Sequence, residues 1–170
     1  MTAQTIEKTA AVWSQEPQKA LGKPSVKARS EGTQAVVQAG SFTWRADLPE
    51  ALGGANKAPS PTALMLSALA GCAVVFIKDT LAPQLGIRVY GVEATVTCET
   101  DSRGLLGIDG VEPDLRNLRL DLRIESTDGE AAVQRLLDVW KERCPIYLAL
   151  QKPVDVTVRA QVVNWYADGR

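Results

Sequence analysis

The side chains in this sequence with the strongest potential for chemistry are its three cysteines, Cys72, Cys98 and Cys144. Cysteine thiolates are nucleophiles and are oxidised reversibly, so a cysteine pair can carry out redox chemistry. The sequence contains no histidine, which excludes Ser-His-Asp and Cys-His catalysis and most zinc or transition-metal sites. It also has no glycine-rich phosphate-binding motif. We therefore predict that the protein holds no metal and no cofactor.

Each cysteine also has a purely structural interpretation. Cys98 is in phase with the apolar side of a predicted strand, and we interpret it as a small core residue. Cys144, taken alone, fits a structural residue at a helix end before Pro145. Cys72 lies in a stretch without charged residues, 58–77, where burial raises the pKa of a thiol. From the residues alone, a catalytic and a core role stay open for both Cys72 and Cys144.

Composition and charge limit the class of protein. A chain of 170 residues with 45% hydrophobic and 23% charged residues is typical of one globular domain. The net charge of −1 gives no electrostatic reason to expect nucleic acid or an anionic membrane as partner. Because the N-terminus has no apolar signal segment and the cysteines are few, we predict a cytoplasmic protein with reduced thiols.

One long helix dominates the predicted secondary structure. Ser60-Pro61 is typical of a helix start, so we predict a helix over 61–82 that Pro83 and Gly86 end. Its apolar residues surround the whole helix, which indicates burial on all sides; a transmembrane span is the alternative. The other elements predicted before residue 83 are a helix over 3–15, a linker over 15–24, strands near 33–39 and 41–46, and a loop over 48–61.

Strict alternation of apolar and polar residues predicts strands over 89–100, 115–125 and 153–163. A further helix is predicted over 128–143, with a capping box formed by Thr127 and Glu130. This order indicates an α+β domain with antiparallel sheets around the long buried helix. Because one small domain offers too little sheet to surround that helix, we predict a homodimer. Residues 1–22 are predicted to be an N-terminal extension to a domain over 23–170.

Two segments together resemble a known family. The stretch DLPEALGGANKAPSPTALMLSALAGC, followed later by ERCPIYLAL, resembles the OsmC/Ohr family of thiol-dependent peroxidases. The resemblance covers roughly residues 25–163. It implies an intertwined α+β homodimer with active sites at the subunit interface.

The resemblance also implies a chemistry. Cys72 would attack an organic hydroperoxide and form a sulfenic acid, Cys144 would resolve it as a disulfide, and a dithiol, often lipoyl-based, would reduce the pair. An arginine activates the thiolate in the family. Arg29, in the loop expected before the first strand pair, is the candidate here, with Arg45 as the second choice. Well-studied members pair that arginine with a glutamate at the position of Thr62. The alternative function is a non-catalytic or redox-sensing protein that binds a small apolar molecule.

Overall fold

Two antiparallel sheets and one long helix make up the fold in the computed structural model, which describes residues 2–152 and 154–163. The chain begins with helix α1, Ala3–Gln15, as the sequence predicts. The Thr2 side chain accepts a hydrogen bond from the backbone N–H of Thr5 and caps this helix. Ile6 is nearly buried, and α1 contacts the last turn of the long helix. The predicted linker contains one 3₁₀ turn, Pro17–Ala20.

The first sheet has three strands in the order β1-β2-β3: Lys27–Glu31, Gln34–Ala39 and Phe42–Ala46. The two strands predicted here are confirmed as β2 and β3, and the turn between them places Gly40 at a φ of 58°. Strand β1 was not predicted, because all five of its side chains are exposed and show no apolar alternation. The prediction that Arg29 lies in a loop is therefore wrong, since this residue belongs to β1.

The long helix, here called the central helix, spans Pro61–Gln84. It consists of the α-helix α2, Pro61–Phe76, one π-helical turn, Ile77–Leu81, and a last segment, Ala82–Gln84. Ser60 is the predicted N-cap, and its hydroxyl accepts a hydrogen bond from the backbone N–H of Ala63. The prediction that Pro83 ends the helix is wrong. The helix includes this proline and extends to Gln84, and Gly86, the other predicted terminator, follows at a φ of 66°.

The buried side of the central helix carries residues spaced by four positions: Leu69, Ala73, Ile77 and Leu81, all essentially inaccessible to solvent. Its outer side is uncovered within one chain, as the exposed Val75 shows. By length and composition alone this helix could cross a membrane, and 22% of its most apolar 18-residue window is buried. Its packing against the second sheet instead identifies it as the core helix of the domain.

The second sheet is a long hairpin of β4, Val89–Thr100, and β5, Leu115–Ser126, both at the predicted positions. A short helix, Ser102–Leu105, lies in the connection between them. Helices α3, Glu130–Arg143, and α4, Pro145–Gln151, follow. The buried Leu136 and Trp140 of α3 complete the core around the central helix. The predicted α+β class with antiparallel sheets is confirmed.

Two local predictions are wrong. The start of α3 has no capping box, because Gly129 is the N-cap and Asp128 instead accepts hydrogen bonds from the backbone and side chain of Arg88. The strand predicted over 153–163 is also not formed in residues 154–163, and residue 153 lies outside the described residues. Its alternating valines are exposed because none of the described strand edges in the same chain pairs with them: Val154, Val156, Val158 and Val162.

Candidate active site

The central helix determines the position of the Cys72 side chain. It lies one residue before the fully buried Ala73, so its side chain stands at the edge of the buried stripe and is half-buried. Leu64 and Ala68 precede it at intervals of four residues, which places all three side chains on one face of the helix. Cys72 therefore packs against the core and remains partly exposed to solvent within one chain.

Cys144 joins two helices. Its backbone N–H donates to the carbonyl oxygen of Trp140 at the end of α3, and its carbonyl accepts from the N–H of Leu148 in α4. Pro145 cannot continue α3, so the chain turns at Cys144 and starts the new helix there. The Cys144 side chain is fully buried, and its sulfur accepts a hydrogen bond of 3.5 Å from the backbone N–H of Tyr147.

These two elements bring two sulfur atoms together. Cys72 Sγ and Cys144 Sγ lie 3.0 Å apart, although the residues are separated by 72 positions in sequence. Both cysteines are free thiols in this structure. A disulfide has an S–S distance of about 2.05 Å, so an approach of about 1 Å would join them. The geometry can support reversible formation of a disulfide.

The environment of Cys72 within one chain opposes its ionisation. Burial is the largest cause that raises the pKa of the Cys72 thiol to about 12, and the hydrogen bond and electrostatic interaction with Cys144 act in the same direction. The backbone N–H of Ile146 lowers this pKa, but by less. Because the thiolate is the reactive form, a positive charge must approach Cys72 before it can act as a nucleophile.

The two candidate arginines lie on the first sheet and share one carboxylate. Arg29 Nη1 is 2.8 Å from Glu31 Oε2, and Arg45 Nη2 is 2.6 Å from Glu31 Oε1. These hydrogen bonds, with that from Arg45 as the largest cause, hold the pKa of Glu31 below its usual value. Arg45 also donates to Gln34 Oε1 at 2.9 Å. Within a single chain, the structure thus brings Cys72 and Cys144 together but places Arg29 elsewhere, on a sheet exposed to solvent.

Cys98 lies apart from this sulfur pair. It is half-buried on β4, opposite an irregularity in the pairing of β4 with β5. Its neighbours on the same face are Val92, Ala94 and Val96, as the alternation predicts. Cys98 therefore lies on the predicted face of its strand, but it is not part of the core cluster around the central helix and does not contact the sulfur pair.

Asp47 is a site residue that the sequence reasoning missed. It follows β3 and is almost fully buried, with 3% of its surface exposed. Its carboxylate accepts hydrogen bonds from backbone N–H groups of the following loop, led by that of Lys57, and these lower its pKa to about 2. Its four donors are the backbone N–H groups of Leu48 (2.8 Å), Ala55 (3.2 Å) and Lys57 (2.9 Å) and the side chain of Gln34 (3.2 Å).

The hydrogen bonds to Asp47 hold the loop over 48–59 in place, and residues of this loop form one wall of a groove. The groove has a volume of about 680 Å³, and its lining includes Trp44, Lys57, Pro59, Leu64 and Ala68. Ala68 lies one helical turn before Cys72 on the same face. The groove therefore borders the helix face that carries Cys72, and neither cysteine of the sulfur pair lines it. An aspartate before a glycine-rich loop, which offers many backbone N–H donors, was the signal available in the sequence.

Solved structures of similar fold support this description. An OsmC-like protein from Mycoplasma pneumoniae has a TM-score of 0.66 at 23% identity, covering 78% of this chain and 89% of that one. An organic hydroperoxide resistance protein from Legionella pneumophila has a TM-score of 0.56 at 21% identity, covering 79% and 93%. OhrB of Bacillus subtilis, also an organic hydroperoxide resistance protein, has a TM-score of 0.50 at 19% identity, covering 79% and 94%. At these low sequence identities, the TM-scores show that the three proteins share the fold of this chain.

Comparison with curated proteins gives no match. The family model described as OsmC-like protein matches residues 54–159, which is more than half of the chain. The matched region contains the second half of the loop held by Asp47, the central helix, the hairpin of β4 and β5, and both members of the sulfur pair. The chain belongs to the OsmC-like protein family.

Proposed function

We propose that the protein is a cysteine-based thiol peroxidase that reduces organic hydroperoxides. The observation that carries this proposal is the 3.0 Å contact between Cys72 Sγ and Cys144 Sγ. Their unequal burial supports distinct roles, because the half-buried Cys72 can meet a substrate and the fully buried Cys144 cannot. Proteins of this family act on hydroperoxides, and several solved relatives carry the name organic hydroperoxide resistance protein.

The proposed cycle has three steps. The Cys72 thiolate attacks the terminal peroxide oxygen, the O–O bond breaks, and Cys72 becomes a sulfenic acid while the alkoxide takes a proton and leaves as an alcohol. The Cys144 thiol then attacks the sulfenic sulfur, forming the disulfide and releasing water. A dithiol, such as a lipoyl group, finally reduces the disulfide and becomes a cyclic disulfide itself. A reducing cytoplasm suits this cycle, because both thiols must be free at its start.

Oxidation with one equivalent of an organic hydroperoxide tests this proposal. We expect two of the three thiols to disappear and peptide mapping to find a Cys72–Cys144 disulfide within one chain, with Cys98 still open to alkylation. The Cys98→Ser variant should give the same disulfide. A Cys72–Cys98 link, or three intact thiols, would instead favour the second candidate, a protein that binds a small apolar molecule in the 680 Å³ groove.

Arg29 is proposed as the cation that activates Cys72 in the assembled protein. An opposite charge within about 4–6 Å favours the thiolate and lowers its pKa, which would counteract the effect of burial on Cys72. We expect Arg29→Ala to move the midpoint of Cys72 alkylation by iodoacetamide to higher pH by about one unit or more. Arg45→Ala is the matched variant, since both arginines bind Glu31. An unchanged midpoint in Arg29→Ala would contradict this role for Arg29. A shift in Arg45→Ala alone would identify Arg45 as the activating cation.

A homodimer is proposed as the functional form. The uncovered apolar surface supports it: the outer side of the central helix, the exposed Phe42 of the first sheet and the valines of 154–163. Obligate dimer interfaces bury about 2,000 Å² or more and resemble a protein core. At micromolar concentration, sedimentation should give a species of twice the 18.3 kDa chain mass. A species of one chain mass under these conditions would contradict the dimer.

A further inference from the structure

A series of hydrogen bonds on the first sheet connects the buried Asp47 with Arg29, the proposed activating arginine. Gln34 Nε2 donates to Asp47 Oδ2 at 3.2 Å, and Gln34 Oε1 accepts from Arg45 Nη1 at 2.9 Å. Arg45 Nη2 donates to Glu31 Oε1 at 2.6 Å, and Glu31 Oε2 accepts from Arg29 Nη1 at 2.8 Å. The strand register places the four strand residues of this series on one face of the sheet. The position of Arg29 is therefore linked to a buried carboxylate.

Gln34 is uncharged, and its amide fits the charge on each side. A glutamine side chain carries both a donor and an acceptor, so it can bind a carboxylate and a guanidinium group at the same time. In the reverse orientation, its oxygen would face the Asp47 carboxylate and its NH2 group the Arg45 guanidinium, so the two charges determine the orientation of the amide. Asp47 is almost fully buried and accepts from three backbone N–H groups, which fix its position. Gln34 is thus attached to a fixed point of the fold.

Arg45 and Arg29 differ in how many of their donors are in use. Arg45 binds Gln34 through Nη1 and Glu31 through Nη2, so both ends of its guanidinium group are held. The Arg29 side chain binds Glu31 through Nη1 and forms no other hydrogen bond within residues 2–152 and 154–163. It is also more exposed than that of Arg45, at 67% against 46%. Arg29 therefore keeps donors for a thiolate, whereas Arg45 holds Glu31 in place.

We infer that Gln34 is a positioning residue for the activation of Cys72 in the proposed dimer. Gln34 holds Arg45, and Arg45 holds the Glu31 carboxylate. Glu31 then orients the Arg29 guanidinium group and leaves its remaining donors free for the thiolate. Without the Gln34 amide, Arg45 loses its connection to the buried carboxylate, and Glu31 is held only by two exposed arginines. This inference rests on the proposed role of Arg29 and on the proposed peroxidase function.

The pH midpoint of Cys72 alkylation by iodoacetamide tests this role without a catalytic assay. Gln34→Leu removes both the donor and the acceptor, and we expect it to raise the midpoint by about 0.3 to 1 unit, which is about a two- to tenfold loss of thiolate below the midpoint. Gln34→Ala, which adds no apolar bulk, should give the same shift. Gln38→Leu is the matched control on the same strand and should leave the midpoint unchanged, because the Gln38 side chain donates to the Gly40 carbonyl. Wild-type midpoints for both Gln34 variants would overturn the inference.

A double variant tests whether Gln34 acts through Arg29. If it does, Gln34→Leu adds no further shift in the Arg29→Ala background, whereas a general disturbance of the fold adds its full shift in both backgrounds. A full additional shift, or no shift in Arg29→Ala itself, would overturn the inference. Hydroperoxide consumption is measured separately on the wild-type protein. If no hydroperoxide is consumed but the shifts of Gln34→Leu and Arg29→Ala are found and do not add, the peroxidase proposal fails and the positioning role of Gln34 stands.

Discussion

Cys72→Ser is expected to abolish hydroperoxide consumption in the presence of a dithiol. A serine hydroxyl does not ionise near neutral pH and cannot form a sulfenic acid, so the first step of the cycle has no nucleophile. Loss of a nucleophile that acts with partner groups typically costs a factor of about a thousand or more in kcat. The measurement is the rate of loss of an organic hydroperoxide, followed with a peroxide-specific dye at fixed dithiol concentration.

The Cys98→Ser and Cys144→Ser variants are the controls for Cys72→Ser. Cys98→Ser should retain activity within about twofold of wild type, because Cys98 lies on β4 and away from the sulfur pair. Cys144→Ser should still consume the first equivalent of peroxide at Cys72 but form no intramolecular disulfide. Retention of a tenth or more of the wild-type rate by Cys72→Ser would show that the peroxide reacts elsewhere.

Gly54→Ala is expected to reduce the free energy of unfolding by about 3 kcal/mol or more, in the upper range for single substitutions. A Cβ atom at this position would lie 1.9 Å from the carbonyl oxygen of Leu48 and 2.8 Å from Asp47 Oδ1. Both atoms are held in place: the Leu48 carbonyl accepts from the N–H of Asn56, and Asp47 binds the loop. The loop must therefore open to admit the methyl group, which breaks hydrogen bonds to a buried carboxylate.

Urea unfolding of Gly54→Ala and Gly22→Ala provides the comparison. A Cβ atom at Gly22 meets no atom within 4 Å, so this variant should unfold like wild type. We expect a lower midpoint with an unchanged slope for Gly54→Ala, which reports a loss of stability and not a change in the unfolded state. A midpoint equal to that of Gly22→Ala would mean that the loop adapts freely and that Asp47 does not fix it.

Periodic segments were predictable from the sequence, and segments stabilised by distant partners were not. The central helix and the hairpin of β4 and β5 follow from apolar patterns and from the Ser60 cap, which are local properties. Strand β1 has no such pattern, because its exposed side chains are polar and its place is set only by pairing with β2. The valines of 154–163 show the opposite case, since they alternate as in a strand while the strands in the described part of the chain do not pair with them.

The residues of the candidate site likewise differ in whether the sequence could predict their positions. The contexts of Cys72 and Cys144 suggested a pair only through the family resemblance, because no spacing rule relates two residues 72 positions apart. Asp47 could be recognised only in three dimensions, where its oxygens meet donors from residues up to 13 positions away. In the proposed dimer, the position of Arg29 relative to Cys72 would depend on contacts between chains, which neither the sequence nor a single chain specifies.

The complete burial of Cys144 has a consequence for how the proposed disulfide would be reopened. A reducing thiolate must approach a sulfur atom in line with the bond that breaks, and of the two residues only Cys72 is partly exposed to solvent. The mixed disulfide would therefore form on Cys72, with Cys144 as the leaving group. Tyr147 is placed to assist that departure, because its backbone N–H already points at the Cys144 sulfur. A reductant with a second thiol on the same molecule can then release itself from Cys72, whereas a bulky monothiol would remain attached.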